Sequence, residues 1–253
     1  FLLFGPSGSG KTEIYFEAIK NLKKSEQVLI LLPELTLTPQ AIDRYSEKFG
    51  WENVAILTSQ VSKGEFFSQW QKIKSGETKI IIGTRMAVFA PFKSLGLVVV
   101  DEEHDISHKQ WDMNPRYDAR LAAEKLSELH GAKIIFGSAT PSLENYQRAL
   151  DEEISLLKLP HLEIPGTPKK DTIGPEVEII DLKKERWEKN RSPISRKLRS
   201  EIAYALKNRL QTILFINRQG MSSFSVCMNC KTVLRCPKCE RALIYDQGGF
   251  YRC

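Results

Sequence analysis

The sequence has no apolar run long enough to span a bilayer. Its longest, such as Val28 to Leu32 and Leu97 to Val100, fall far short of the roughly 20 residues a membrane helix needs. Nothing in it resembles a secretory leader, and it carries no internal repeat or low-complexity tract. A membrane-spanning helix is therefore not expected, and a cytoplasmic protein is. Cysteine is absent before residue 227, so no disulfide holds the larger part of the chain together. Acidic residues are scarce toward the end: residues 183–253 hold 5 acidic against 16 basic side chains, whereas residues 1–182 hold 26 against 21. The overall charge of +6 hides this asymmetry. The basic part is the expected polyanion contact, a solvated basic face being the plain alternative. With 253 residues, 42% of them hydrophobic, the chain suffices for one large domain plus part of another.

What is present begins at once. Gly5-Pro6-Ser7-Gly8-Ser9-Gly10-Lys11-Thr12 fits the pattern G-x-x-x-x-G-K-[ST] directly behind the apolar run Phe1-Leu2-Leu3-Phe4. The glycines let the backbone fold tightly enough for its N–H groups to face phosphate oxygens. Lys11 then reaches the terminal phosphates and the Thr12 hydroxyl is placed to ligate Mg²⁺. A helix whose apolar set is Ile14, Ala18, Ile19 and Leu22 follows, and its N-terminus adds a favourable dipole.

Short β-rich runs then alternate with helical patterns. Val28–Leu32, Val54–Leu57, Ile80–Ile82, Leu97–Val100 and Ile134–Phe136 read as strands, with helices over Gln40–Phe49, Gly64–Ser75, Ala119–His130 and Ser142–Leu150. Alternation of this kind predicts an α/β fold with a parallel sheet buried on both faces. We expect a first domain over residues 1–159 and a Pro- and Gly-rich linker and entry segment over 160–192. A second unit is expected with strands at Val177–Ile180 and Thr212–Ile216 around a basic helix from Ser195 to Arg209. The chain opens inside a strand and stops within a cysteine-rich segment, and so reads as a piece of a longer protein.

Leu97-Val98-Val99-Val100-Asp101-Glu102-Glu103-His104 ends a buried strand in carboxylates. Beside a phosphate loop, Asp101 is expected to hold Mg²⁺, Glu102 to polarise the attacking water, and His104 to relay the state of the terminal phosphate. A plain acidic strand end in solvent is the alternative. A third strand end, Gly137-Ser138-Ala139-Thr140-Pro141, offers the Ser138 and Thr140 hydroxyls to that cluster, although a helix cap would read the same way. Between these segments, His108, Lys109, Trp111, Arg116, Tyr117 and Arg120 interleave aromatic and cationic groups, which suits single-stranded DNA. The alternative has Trp111 and Tyr117 pinning the loop to the core.

Cys227-x2-Cys230-x5-Cys236-x2-Cys239, followed by Cys253, presents two C-x-x-C knuckles in a basic stretch. Each knuckle can offer two thiolates to tetrahedral Zn²⁺. Five residues between knuckles is tight for one four-cysteine ribbon, so each is expected to pair with cysteines farther along. An iron–sulfur cluster is the lesser alternative, since the spacing does not follow the ferredoxin run.

GPSGSGKT, DEEH and GSAT, in this order, resemble motifs I, II and III of superfamily 2 helicases with a DEAH-type box. The segments at Pro33–Gln40, Gly83–Phe92 and Pro115–Arg120 narrow the resemblance to the PriA family of bacterial replication-restart helicases. Pro6-Ser7 stands where that family has Val-Thr, and Trp111 lies in a loop where it varies. The resemblance implies two RecA-like lobes, the second beginning at residues 193–218 and interrupted by a zinc-binding module at 219–253. It implies ATP, Mg²⁺ and two interleaved zinc sites, with Cys236, Cys239 and Cys253 in the inner one and the partners of Cys227 and Cys230 beyond Cys253. It further implies 3′-to-5′ helicase activity on single-stranded and forked DNA. Thr84 and Arg85 would contact the DNA backbone, a structural turn being the alternative, the loop around Trp111, Arg116 and Tyr117 would couple DNA to hydrolysis, and single-stranded DNA-binding protein and primosome proteins would be partners. A translocase that never separates strands, and a zinc-dependent interaction module on a degenerate ATPase, are the alternatives. Efficient hydrolysis normally draws an arginine from the second lobe, and none is visible, so this piece is expected to bind nucleotide and hydrolyse it poorly.

Overall fold

Seven short strands, β1 (Leu2–Phe4), β2 (Gln27–Leu31), β3 (Val54–Leu57), β4 (Ile80–Gly83), β5 (Leu95–Val100), β6 (Lys133–Ser138) and β7 (Leu156–Lys158), pair in the order β3-β4-β2-β5-β6-β1-β7. Every pairing is parallel. The computed structural model describes residues 1–59, 61–111, 113–160, 177–190, 192–215, 224–227, 229–245 and 248–253. Five helices connect these strands: α1 (Lys11–Lys20), α2 (Pro39–Phe49), α3 (Lys63–Ser75), α4 (Ala119–His130) and α5 (Leu143–Leu150).

The sheet is apolar on both faces because its strands alternate between two cores. Leu29, Leu31, Ile81, Val98 and Val100 pack with Ile73 of α3, Ala119 and Ala123 of α4 and Ala149 of α5. Val28, Ile30, Ile82, Leu97 and Val99 pack with Tyr15, Phe16 and Ile19 of α1 and Tyr45 of α2. Helix starts follow local chemistry: Thr38, Ser62, Asp118 and Ser142 each accept a backbone N–H at the beginning of α2, α3, α4 and α5. Helix α1 departs from this rule. Its N-cap is Gly10 at φ 88°, with no capping side chain.

The expected strands and helices of this part are present, with ends moved by a residue or two, and β7 is an addition. The inward face of α1 differs from the expected one: Lys11, Tyr15, Phe16 and Ile19 are buried, and Ile14 is 39% exposed. A tyrosine displaces an isoleucine from the core here because its hydroxyl finds a buried partner, described below.

The chain divides into two compact units, Phe1–Lys170 and Asp171–Cys253. About half of the expected linker and entry segment, residues 161–176, lies outside the described residues. Within the range expected as linker, α6 (Leu182–Trp187) is helical, with Asp181 capping it by accepting from Lys183 N at 2.8 Å. Helix α7 (Arg196–Lys207), capped by Ser195, matches the expected basic helix. The strands expected at Val177–Ile180 and Thr212–Ile216 are not formed at 177–180 and 212–215, and Ile216 lies outside the described residues. Ile179, Ile213 and Phe215 are about nine-tenths exposed or more: apolar β-branched runs become strands only where a neighbour completes the ladder. A small antiparallel pair, β8 (Ile244–Tyr245) with β9 (Tyr251–Arg252), completes this unit.

One polar side chain holds the edge of the large sheet opposite the strand C-termini. Gln27 is 1% exposed, its Nε2 donates to the carbonyls of Ile73 and Thr78 at 2.9 and 2.8 Å, and its Oε1 accepts from Lys93 N and Ser94 N at 2.8 and 3.3 Å. It thereby bonds four backbone groups, of which the Ile73 carbonyl also accepts from Gly76 N at 3.0 Å. Replacement by leucine keeps the volume and removes the side-chain partner of all four. Gln27→Leu is expected to lower the stability of the first unit by about 2–4 kcal/mol, on the order of one to two unmade buried hydrogen bonds, as read from denaturant midpoints.

Candidate functional site

Parallel strands end on one side of their sheet, so segments far apart in sequence meet there. The loop after β1 joins the end of β6 directly, through Gly5 N donating to Ser138 O at 3.1 Å. Asp101 follows β5 with its N–H donated to Leu31 O at 3.0 Å. The loop is tight for two reasons. Gly8 and Gly10 take φ of 78° and 88°, and a Cβ on Gly5 would stand 2.6 Å from Ser9 Oγ and 2.8 Å from Leu159 Cβ. Lys11 is 8% exposed and its Nζ donates to the carbonyls of Gly5 and Pro6 at 2.9 and 3.2 Å. The ammonium thus already lies inside the loop's concavity. Ser9 Oγ is buried with no partner among the described residues.

The acidic turn is wired at each residue. Asp101 Oδ1 accepts from Tyr15 Oη at 2.8 Å. Burial pushes the Asp101 carboxyl above the usual carboxylate range, and the Tyr15 bond, the Glu102 N–H and nearby Lys11 pull it partly back. Glu102 has φ 44°, a left-handed backbone uncommon for a residue with a Cβ. Its carboxyl is also raised, by burial first and then by the Asp101 charge. Glu103 is fully buried, accepts from Ser142 N and Oγ at 2.7 and 2.9 Å and from Asn145 Nδ2 at 2.8 Å, and so ties the turn to the start of α5. His104 Nδ1 lies 2.7 Å from Ser138 Oγ and 3.7 Å from Glu102 Oε2. Thr140 joins this set through its backbone N–H, which donates to Ser138 Oγ at 3.0 Å.

The interleaved loop splits into inward and outward groups. His108 is 1% exposed. Its Nε2 lies 3.0 Å from the Asp101 carbonyl, which can only accept, so the proton sits on Nε2 and Nδ1 is left buried without a partner among the described residues. Arg120 is also turned inward, paired with Asp118 through two bonds of 2.9 and 2.6 Å and donating to Glu103 O at 3.0 Å. These two are corrections: neither presents a cation to a ligand, because each is needed to close the base of the loop. Tyr117 is half-buried and packs edge-on against Phe89 at 4.9 Å. Trp111 is 54% exposed, with Lys109 Nζ 4.3 Å from its ring centre, and Arg116 is exposed as well. Gln110 braces the loop from within by donating to the carbonyls of Met113 and Pro115. Thr84 is 6% exposed, and Arg85 is held by Glu34 at 3.0 Å and Gln110 at 3.3 Å.

In the second unit, Cys236, Cys239 and Cys253 bring their sulfurs within 4.8 Å of one another. Backbone N–H groups of Lys238 and Cys239 face Cys236 and pull its thiol down to about 7. The residues after the two knuckles, Lys231 and Glu240, share left-handed φ of 62° and 58°. Cys227 and Cys230 form the other knuckle, with Cys230 Sγ bonded to Thr232 Oγ1 at 3.2 Å.

Residues 1–149 match the family described as DEAD/DEAH box helicase. The chain belongs to that family. This helicase chain is 40% identical to "Replication restart protein PriA" of Bacillus subtilis (strain 168) over 250 residues, covering 98% of this chain and 30% of that protein. Against the Synechocystis protein of the same name it is 41% identical over 245 residues, covering 96% and 29%. The chain thus spans about 30% of the length of the curated relatives it matches. The solved structure "Crystal Structure of DUF1998 helicase MrfA" shares the fold at TM-score 0.51 and 15% identity, over 86% of this chain and 34% of that one. The resemblance drawn from the motifs is borne out, and so is the parallel α/β fold.

The residues of this helicase chain fit the groups its family implies. An uncapped helix start, two left-handed glycines, an unpartnered Ser9 hydroxyl and an inward-lying ammonium suit a polyphosphate, with Thr12 and the Asp101 carboxylate available to Mg²⁺. Three converging sulfurs, one of them acidified, suit Zn²⁺. Glu103 and Tyr15 were missed in the sequence. Glu103 reads as one more surface acid in DEEH, and its full burial depends on Ser142 and Asn145, which only the fold brings near. The signal for Tyr15 was present: it sits at i+4 from Lys11 on the inward face of α1.

Loading this 253-residue chain by itself with Zn²⁺ at pH 7 is expected to protect Cys236, Cys239 and Cys253 from iodoacetamide while Cys230, whose thiol is also drawn down to about 7 by the Thr232 bonds, remains modified. Peptide mass spectrometry reads this directly. Protection of Cys230 to the same extent would show that the ligand set is not the three-sulfur cluster.

Proposed function

We propose that the chain is the ATP-binding part of a DNA helicase that restarts stalled replication forks, moving 3′ to 5′ along single-stranded DNA. The observation that carries this reading is the meeting of Lys11, Asp101, Glu102 and the His104–Ser138 pair at one sheet edge, in a chain 40% identical to PriA. Residues 1–159 would form the first RecA-like lobe, 193–218 the start of the second, and 219–253 a zinc-binding module. Forked DNA, single-stranded DNA-binding protein and primosome proteins would be the partners.

The backbone N–H groups of the loop and the start of α1 bind the phosphates, and Lys11 exchanges two carbonyls for phosphate oxygens. Mg²⁺, bound with ATP, would neutralise developing charge on the phosphates. Asp101 and Thr12 would present the oxygens that hold it. Glu102 orients the attacking water and takes its proton at the carboxylate, a role suited by burial that makes it a stronger base than an exposed glutamate. His104, bonded to Ser138 beside Glu102, is placed to pass the phosphate state to the loop after β6. Outward-facing Trp111 stacks on a base and Arg116 meets a phosphate. Thr84 and Arg85 would contribute to the backbone contact once Arg85 leaves Glu34.

The deciding experiment is ATP hydrolysis by the full-length protein with and without forked DNA, beside its Glu102→Gln variant. Fork-stimulated hydrolysis that falls about 100-fold or more in the variant, with nucleotide binding kept, is the expected result for loss of a general base. No stimulation in folded, zinc-loaded protein would favour a non-catalytic interaction module. Trp111→Ala is expected to weaken single-stranded DNA binding by about 5- to 100-fold, the range for loss of one base stack, in fluorescence anisotropy. Tyr117→Ala, by contrast, is expected to lower stability through lost packing on Phe89.

A further inference from the structure

Tyr15 carries a hydroxyl into a core where a phenylalanine would pack as well. It is fully buried, in a cluster with Phe16, Ile19 and Val99, and its Oη donates to Asp101 Oδ1 at 2.8 Å. The bond spans helix α1 and the end of β5. A second observation, independent of the bond, comes from the end of β6. A Cβ on Gly137 would lie 1.7 Å from Tyr15 Oη, 2.9 Å from Cζ and 3.3 Å from Asp101 Oδ1. Any side chain at position 137 would therefore occupy the place of the tyrosine hydroxyl. Gly137 has no need of glycine for its backbone angles, since it is not among the positive-φ glycines. Its missing side chain is explained by the space it leaves.

We infer that Tyr15 is a positioning residue for Asp101, seated by Gly137, and that it sets where the metal-facing oxygen of that carboxylate stands. The inference rests on the reading of Asp101 as the Mg²⁺ carboxylate. The rest of Asp101 is already fixed: its N–H is donated to Leu31 O and its carbonyl accepts from His108 Nε2. Rotations about the Cα–Cβ and Cβ–Cγ bonds are the remaining freedom, and a hydrogen bond to one carboxylate oxygen restricts both. Partners of this kind, one bond behind a ligand, typically change metal affinity by about 10- to 100-fold. A tyrosine that merely used Asp101 to satisfy its own buried hydroxyl would affect stability and leave metal dependence alone.

The test compares ATP affinity in EDTA and in saturating Mg²⁺, by calorimetry, for the full-length protein and three variants, with thermal unfolding beside each. Tyr15→Phe is expected to bind ATP within about twofold of the unmodified protein in EDTA and to lose about tenfold of the Mg²⁺-dependent tightening. Gly137→Ala is expected to show the same loss, because its methyl displaces the hydroxyl. The combination Tyr15→Phe with Gly137→Ala is expected to lose no more of the Mg²⁺-dependent tightening than Tyr15→Phe alone, since the 1.7 Å clash with Oη is gone and the ring has only to give slightly at Cζ, 2.9 Å from the added methyl. Should Gly137→Ala fail to fold, the combined variant should fold. Unchanged Mg²⁺ tightening in Tyr15→Phe, or a Gly137→Ala defect that adds fully to it, would overturn the inference. If the unmodified protein itself shows no Mg²⁺-dependent tightening, the reading of Asp101 fails instead.

Discussion

The parallel alignment of seven strands is the constraint on which everything else here rests. In an antiparallel sheet the residues after β1, β5 and β6 would be divided between two edges. Pairing in one direction brings Gly5, Asp101 and Ser138 to the same edge although more than a hundred residues separate the first from the last. The arrangement needs both sheet faces covered, and the alternating strand residues supply two separate apolar cores for α1 and α2 on one side and α3, α4 and α5 on the other.

On that edge the backbone itself does much of the work usually credited to side chains. Gly5 joins the loop to β6 by one hydrogen bond from its N–H, Asp101 is held by a carbonyl of β2, and Glu103 N donates to Gly137 O at 3.0 Å. The three strand ends are stitched to one another before any functional group is considered. Against this frame, the strained backbone at Glu102 stands out, since left-handed φ in a glutamate costs on the order of 1–3 kcal/mol. Bonds on either side of it, at Asp101 and Glu103, over-determine the turn and hold the strain in place.

Much of this was legible in the sequence. Strand and helix positions followed from apolar runs and their spacing, and the phosphate loop, DEEH and GSAT announced the site, because each is local chemistry written in adjacent residues. The reading weakened where identity depends on what the fold brings close. Arg120 and His108 look like ligand-binding cations and are structural, spent on Asp118, Glu103 and the Asp101 carbonyl. Glu103 looks like surface and is core. Thr212 to Phe215 has the composition of a strand and lacks a neighbour among the described residues to pair with. Periodicity reports which residues favour an element; it does not report whether a polar group will find a partner.

The loop that presents Trp111 has a consequence of a mechanical kind. Its two arms are bridged at Lys109 and Asp118, Gln110 spans its interior, and Arg120 grips both Asp118 and the carbonyl of Glu103. A loop built this way is a short, stiff lever rather than a tether. A load on the indole would be carried through these bonds to Glu103. From there the buried carboxylate would pass it to α5 through Ser142 and Asn145. Rigidity, not mobility, is what would let this loop report the arrival of a base to the far side of the acidic turn.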